Sequence, residues 1–302
     1  MSKTTLIKDD ATAVDAARTP SDSARVEVKE VGAVAQLGKQ SAAAAQKTKS
    51  ARRLQKWHWI AGAAIPVILV AVWHFTTTSG LIPPYQLSTP GAVWEALVDL
   101  HQRGELFGHI AISTQRVLLG FTFGAAAGLA LGAVVGLSPL SRSFLAPTVA
   151  ALRAVPSLAW VPLLILWLKI GEESKVTLIA IGAFFPVYTT FASALRHVDR
   201  QLIEVGRTYG LKGLALLRSI YLPAATPPLI SGLRLALAQA WLFLVAAELI
   251  ASSVGLGFLL TDSQNNGRVD RLLLAIVLLA LLGKATDSLV GLGEKRVLRR
   301  WS

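Results

Sequence analysis

The chain of 302 residues has no cysteine. That excludes disulfides, cysteine-ligated zinc and iron–sulfur clusters, and it leaves the compartment open. Charge is also scarce. Asp, Glu, Lys and Arg make up 16% of the residues, against 53% hydrophobic ones, whereas soluble domains carry about 25% charged residues. No stretch fits G-x-x-x-x-G-K-[ST], so the chain carries no phosphate-cradling loop for ATP. H-E-x-x-H, G-x-S-x-G and paired-histidine metal spacings are missing too. The histidines, at 58, 74, 101, 109 and 197, are scattered and read as satisfied or interfacial side chains. An enzyme embedded in a membrane would need a nucleophile or metal cluster at one depth, and no such cluster is visible.

What is present is apolar sequence in long runs: Trp57–Phe75, Val117–Leu137, Phe144–Leu168, Val176–Leu195, Leu229–Ala251 and Leu272–Val290. A bilayer-spanning helix needs ~20 mostly apolar residues, so these six runs predict an all-α integral membrane protein with six transmembrane helices. Pro156 and Pro162 are expected to bend the third span, which neighbouring helices tolerate. Residues 1–56 lack any apolar run and read as a disordered basic tail, ahead of a membrane domain over residues 57–300. The first apolar span starts too far along the chain for a signal peptide.

Basic residues outnumber acidic ones by 30 to 18, a formal net charge of +12, and their placement explains the excess. Lys39, Lys47, Lys49, Arg52, Arg53 and Lys56 precede the first span. Arg142, the group Arg196, Arg200, Arg207, Lys212 and Arg218, and the group Lys295, Arg296, Arg299 and Arg300 fall on the same side. The other side carries only Arg103, Lys169, Lys175, Arg268 and Arg271. Lys and Arg concentrate in cytoplasmic loops, so both termini and the loop after the fourth span are expected in the cytoplasm. Nucleic acid is not needed to account for the charge. The segment 88–109, with Val93, Leu97 and Leu100 as one stripe and Glu95, Asp99 and Glu105 kept wet, is expected along the outer interface.

Inside the spans, glycine recurs at Gly120, Gly124, Gly128, Gly132 and Gly136. These form one smooth helical ridge of the kind that lets helices approach closely in lipid. Its partner is either another helix of the same chain or a second copy. Two further stripes step by seven: Arg153, Trp160 and Trp167, then Arg234, Trp241 and Glu248. Charges in a bilayer face protein or water. Arg234 and Glu248 lie about 21 Å apart along a helix, so each needs another partner. Ion pairs that fix helix register and a role in a pathway or gate both remain open, for these residues and for Gln239. Lys284 and Asp287 are placed to snorkel from the end of the last span.

Between the fourth and fifth runs lies a polar, basic stretch. Glu204-Val205-Gly206-Arg207-Thr208-Tyr209-Gly210 is followed by Ile220-Tyr221-Leu222-Pro223. Pro223 is expected to stop the preceding helix near Leu222. Gly210 allows a sharp turn, and Glu204 is expected early in a short helix, where an anion complements the dipole. Leu211, Leu214, Leu217 and Ile220 form an apolar face at helical spacing. The Glu–Gly–Ile–Leu–Pro spacing resembles the "EAA" loop of permease subunits in binding-protein-dependent ABC importers, with Val205 and Gly206 where two alanines are usual. Further likenesses are Ile112-Ser113-Thr114-Gln115-Arg116-Val117, Arg153-Ala154-Val155-Pro156, the Phe185-Pro186-Val187-Tyr188 run, Ala246-Ala247-Glu248-Leu249-Ile250 with Gly255-Leu256-Gly257-Phe258, and Leu282-Gly283-Lys284. Together these are similar to the sulfonate, nitrate and taurine branch of that family, and most of all to its aliphatic sulfonate permeases.

The resemblance implies a type I ABC importer transmembrane domain in the bacterial inner membrane, with cytoplasmic coupling helices between spans 4 and 5. The coupling residues would be Glu204, Gly206, Gly210, Ile220, Leu222 and Pro223. Its implied partners are a second copy of the chain, two ATP-binding subunits that hold ATP and Mg, a periplasmic or lipid-anchored binding protein, and membrane lipid. The cargo would be a small organic anion. Nitrate, taurine and pyrimidine-precursor permeases share these motifs. A secondary transporter is the rival class, but it would leave the Glu204 loop unexplained and would favour repeated halves, which are not evident here.

Overall fold

The computed structural model describes residues 64–298. The predicted tail, the start of the first span and the extreme C-terminus lie outside them. Every described element is helical. Helix α1 (Ala64–Thr78) is apolar. It is followed by α2 (Pro90–Gln102), α3 (Glu105–Leu137), α4 (Pro139–Ala154), a 3-10 turn at Ser157–Ala159, and α5 (Trp160–Leu168). Then come α6 (Glu172–Arg196), α7 (Arg200–Thr208), α8 (Gly213–Leu216), a π-helical turn at Leu217–Tyr221, α9 (Leu222–Ala251), α10 (Leu256–Asn265) and α11 (Val269–Leu298). The described residues up to Val72 belong to one unit and those from Trp73 to another. The packing described below is within the second unit. Among the described residues four helical stretches are long and apolar enough to cross a membrane: Glu105–Leu137, Glu172–Arg196, Gly213–Ile250 and Val269–Arg296.

The core is a sandwich of α3, α6 and α9. The glycine ridge of α3 is buried against α6. Gly120 meets Ile179, Gly124 meets Ala180 and Ala183, Gly128 meets Phe184 and Val187, Gly132 meets Phe191, and Gly136 meets Leu195. Each step of four along α3 is matched by a step of four along α6, so the two helices run parallel with interlocked ridges. On the other face of α6, the Phe243 ring covers Gly182 and Thr190 sits on Gly232, which makes α9 antiparallel to α6. The ridge therefore serves a partner in the same chain.

Because α3 ends at the side of the bundle opposite the start of α6, the residues between them must return the chain across it. The third apolar run does this as two helices, not as the single bent span expected. Ser138 caps α4 by accepting from the Ser141 amide at 3.2 Å, with Pro139 in the first turn. Val155 then adopts an extended backbone (φ −70°, ψ 125°), the conformation imposed on a residue before proline. Pro156 thus breaks the run. Pro162 bends nothing, because it sits in the first turn of α5, where its missing N–H has no intrahelical partner to lose.

The amphipathic stripe of α2 is buried. Val93, Ala96 and Leu100 pack with Leu106 of α3, Leu259 of α10, and Leu274 and Ala275 of α11. Asp99, expected to be wet, accepts from Arg271 Nη2 at 2.7 Å and from Arg103 Nε at 2.8 Å. The Arg103 guanidinium beside it holds its carboxyl below the ordinary aspartate range.

Candidate functional site

At one end of the bundle the first turns of α3 and α6 meet the last turns of α9 around a buried ionic cluster. Glu248 is 1% exposed and Arg116 3%. Arg116 Nη1 donates to Glu248 Oε1 at 2.6 Å, to the Val254 carbonyl at 2.7 Å and to Ser252 Oγ at 3.1 Å. Its Nε and Nη2 grip the Glu172 carboxylate at 2.6 and 2.5 Å, and Lys175 Nζ joins Glu172 at 3.0 Å. Ser113 Oγ lies 2.9 and 3.0 Å from the two Glu248 oxygens and accepts from the Leu256 amide at 2.8 Å. The Gly257 amide donates to Glu248 Oε2 at 2.8 Å, and the Gly255 amide donates to His109 Nδ1 at 3.0 Å. Gly255 has φ +133°, and its backbone lies so close to the Glu248 carboxylate that a Cβ would collide with it. The cluster thus pins the elbow between α9 and α10 to α3 and α6. The sequence marked Glu248 as needing a partner but did not assign roles to Arg116, Glu172, Ser113 or His109. Ser113 and Arg116 stand three apart, on one helical face, just before the run taken to start at Val117. That spacing was the available signal.

Arg234 also finds its partners within the chain. Its Nε and Nη2 form a bidentate pair with Asp287 of α11 at 2.9 Å each, and Nη1 reaches Glu294 at 3.2 Å. Asp287 therefore points to Arg234 instead of snorkelling, although Lys284 Nζ lies 3.7 Å from it. Trp241 is buried and donates from Nε1 to Thr286 Oγ1 at 2.9 Å. The whole Arg234–Trp241–Glu248 stripe is used in joining helices.

Arg153, Trp160 and Gln239 are placed differently. Arg153 and Gln239 line one open hollow of about 300 Å³ with Pro186, Thr189, Leu235 and Phe243. Neither side chain has a hydrogen bond or ion pair among the described residues. Arg153 and Thr189 also line a second open hollow of about 370 Å³, whose other walls include Arg142, Ser193 and Arg196. Trp160 edges a separate apolar hollow with Phe123, Leu152 and Phe184. Its buried Nε1 has no partner among the described residues. Trp167 is exposed.

At the opposite end of the bundle from Glu248, α7, α8 and the π-turn form a helical knuckle. Gly210 has φ +79° and makes the turn after α7, a conformation that favours glycine. Gly206 is buried, and a Cβ there would lie 2.9 Å from Leu216 and 3.0 Å from Ile220. That contact gives the Gly206 to Ile220 spacing a physical reason. Three expectations are corrected. Glu204 sits in the middle of α7, where it pairs with Arg200 at 3.0 Å, and not in its first turn. Of the expected apolar face, Leu217 packs on the Phe191–Leu195–Ala225 cluster and Ile220 lies against Gly206, but the buried residue is Leu216, and Leu214 is 75% exposed. The helix does not stop at Leu222 but runs on from α8 into α9. The wider π-turn shifts the ladder so that the Leu222 amide donates to the Leu217 carbonyl. Such a turn absorbs the disruption of Pro223 in the next position. Leu202, Val205, Tyr209 and Leu214 stand exposed on the knuckle at 49, 53, 84 and 75%.

Among the described residues no cluster of three or more histidines or carboxylates could hold a metal. Long apolar helices, a polar knuckle and hollows between helices are the features that a membrane transport protein needs. Residues 121–299 match the family of binding-protein-dependent transport system inner membrane components. The chain belongs to that family and is a permease of the ABC importer class. It is 39% identical over 267 residues to the putative aliphatic sulfonates transport permease protein SsuC of Bacillus subtilis (strain 168), covering 88% of this chain and 96% of that one. The protein of the same description from Escherichia coli (strain K12) is 39% identical over 238 residues, covering 79% and 90%. Nitrate and taurine permeases follow among the matches. The fold is similar to an inward-facing conformation of the MetNI methionine ABC transporter, with a TM-score of 0.55 and 21% identity over 65% of this chain and 96% of that one.

Proposed function

We propose that the chain is the membrane-spanning subunit of an ATP-driven importer for a small organic anion, an aliphatic sulfonate, delivered by a binding protein. The observation that carries this reading is 39% identity across nearly the whole length of a sulfonate permease. Arg153 and Gln239, without a partner among the described residues and in a shared hollow, support an anionic cargo. Six crossings follow if α4 and α5 together make the third and α1, with the residues before it, makes the first. The Lys and Arg distribution favours cytoplasmic termini in a bacterial inner membrane.

The knuckle is assigned to the ATP-binding subunit. Its four exposed apolar side chains, set among Arg200, Arg207 and Lys212, suit a socket in another protein. In this reading Gly206, Gly210, Ile220, Leu222 and Pro223 shape the knuckle and Glu204 stiffens it through Arg200. ATP and Mg are held by that partner, and two copies of the chain form the pathway. Arg153, Trp160 and Gln239 are assigned to the pathway. Arg234, Trp241 and Glu248 are assigned to register.

The test is uptake by the complete complex in vesicles. Ethanesulfonate, taurine and nitrate are each presented with the cognate binding protein. ATP-dependent uptake of ethanesulfonate in preference to the other two is expected. Preferential uptake of nitrate or taurine would move the chain to a neighbouring branch. Uptake that needs no ATP-binding subunit would make it a secondary transporter.

A further inference from the structure

We infer that α3, α4 and α6 form a groove for one anionic phospholipid of the leaflet at the knuckle end. Arg142, Arg196 and Tyr188 hold its phosphate, and the apolar hollow further along α6 holds an acyl chain. Cargo has no part in this site.

Depth points to a lipid. Arg196 closes the apolar stretch Glu172–Arg196, and Arg142 lies five residues beyond the end of Glu105–Leu137. Both stand where hydrocarbon gives way to headgroups. They come from different helices and converge on one open hollow, with Val135 and Tyr188 among its other walls. None of the described lining residues is acidic. A bias of Lys and Arg to one side of a membrane sets orientation, but it does not require them to converge. The next hollow along the same helices is apolar. Phe123 and Ala127 of α3, Leu152 of α4, and Ile181, Phe184 and Phe185 of α6 line about 450 Å³. Ile181 and Arg196 are fifteen residues apart on α6, about 22 Å at 1.5 Å per residue. Half of a ~30 Å hydrocarbon core is ~15 Å, so the two hollows together span one leaflet. A basic chamber at headgroup depth, continued by an apolar one, is shaped for an amphiphile.

Donor supply fits a phosphate. Arg142 donates from Nε and Nη2 to the Val135 and Gly136 carbonyls at 3.3 and 3.1 Å, which fixes the guanidinium and leaves Nη1 for a ligand. The Arg196 side chain has no hydrogen bond or ion pair among the described residues. Tyr188 is 6% exposed and its ring stacks on Phe184 with centroids 5.8 Å apart. Its hydroxyl has no hydrogen-bond partner among the described residues, although buried hydroxyls are ordinarily paired. Guanidinium forks match phosphate oxygens, and basic pockets between membrane helices suit anionic headgroups. A choline headgroup would bring its own cation to the same arginines, so a lipid of net negative charge is preferred. Arg153 borders the deep end of the chamber but lines the Gln239 hollow as well, and it is left to the pathway.

The assembled complex is titrated in mixed micelles with phosphatidylglycerol or with phosphatidylcholine of the same chains, and bound lipid is counted by mass spectrometry of the intact complex. Phosphatidylglycerol should half-saturate one site per copy of the chain at about 10-fold lower concentration, the scale of one charge-assisted contact. Arg196→Gln breaks no side-chain contact within the chain, so it should fold, and it should remove most of that margin. Arg196→Lys should keep more of it. Lys295→Gln with Arg296→Gln removes two basic charges at the end of α11 and should leave the margin unchanged. Ala127→Trp fills the apolar hollow and should weaken both lipids.

Equal half-saturation by the two lipids would overturn the inference. So would a margin lost as fully with the α11 double variant as with Arg196→Gln, because the charge effect would then be diffuse, and so would unchanged binding to Ala127→Trp. Excess inorganic phosphate and excess ethanesulfonate should not displace the lipid, since neither has a chain for the apolar hollow. Displacement by phosphate would make the chamber a site for a free oxyanion, and displacement by ethanesulfonate would give it to the cargo. Either result refutes a lipid site. No transport step enters the measurement, so failure of wild-type uptake would count against the proposed function alone, and loss of the lipid margin against this groove alone.

Discussion

Substitution of Glu248 tests the ionic cluster most directly. Every group around its carboxylate is a donor: Ser113 Oγ, Arg116 Nη1 and the Gly257 amide. Glu248→Gln keeps the shape but replaces one oxygen with NH2. In either orientation that NH2 faces a donor, so at least one buried donor loses its acceptor at ~1–3 kcal/mol. Glu248→Ala removes all the acceptors and opens a cavity. Removing one partner of a buried pair costs ~3–5 kcal/mol, and here the value should sit at the low end, because Arg116 keeps Glu172 and the Val254 carbonyl. The order of stability should therefore be wild type, then Gln, then Ala. The measurement is reversible denaturation of the purified chain in mixed micelles, alongside the double variant with Ser113→Ala. Ser113 and Glu248 should be coupled, the double variant costing less than the two single changes added together. If both Glu248 variants unfold within ~0.5 kcal/mol of wild type, or if the Gln variant is the less stable one, the cluster does not hold the α9–α10 elbow and the argument fails.

Gly128→Leu drives a side chain into the Phe184 carbonyl at 2.8 Å and the Val187 Cβ at 3.0 Å. Backbone cannot give way cheaply there, so a cost of ~1–3 kcal/mol is expected. Wild-type melting of that variant would mean that α3 and α6 are not packed this closely. Gly206→Val should separate α7 from Leu216 and Ile220 while leaving the membrane helices intact. Binding-protein-stimulated ATP hydrolysis in reconstituted complexes should then fall severalfold, and unchanged stimulation would remove the knuckle from the coupling role. Arg234→Ala leaves Asp287 and Glu294 facing each other. At matched expression it should depress uptake more than Leu235→Ala, and Asp287→Ala combined with it should be no worse than either alone. An additive double variant would show that the pair is not the reason. For topology, Glu95→Cys should label from outside intact cells and Leu214→Cys should not. External labelling of position 214 would reverse the orientation and exclude docking of a cytoplasmic ATPase at the knuckle.

Much of this protein is fixed by local pattern. The excess of apolar residues over charges, arranged in runs near membrane thickness, determined a helical membrane protein before any contact was known. A glycine at every fourth position determined that one face of α3 is smooth. Pro156 determined that the third run could not be a straight helix. Gly210, where a side chain would resist φ +79°, marked the turn in the knuckle. Each of these depends on helix period, on backbone sterics or on the cost of charge in lipid, and all three act over a few residues.

Partnership was decided only in the tertiary structure. The glycine face read equally as a surface for a second copy or for a neighbouring helix, because smoothness is the same in both cases. Parallel alignment with α6 resolved it. Arg234 and Glu248 each needed a counter-charge, but the counter-charges stand far away in sequence, on α11 and α3, and periodicity carries no information about which distant helix comes alongside. The same limit hid the difference among the basic residues. Arg234 and Arg153 occupy equivalent places in two seven-residue stripes. One is neutralised by two carboxylates and the other borders an open hollow, because the break at Pro156 leaves Arg153 beside α6 and α9, where none of the described lining residues is acidic.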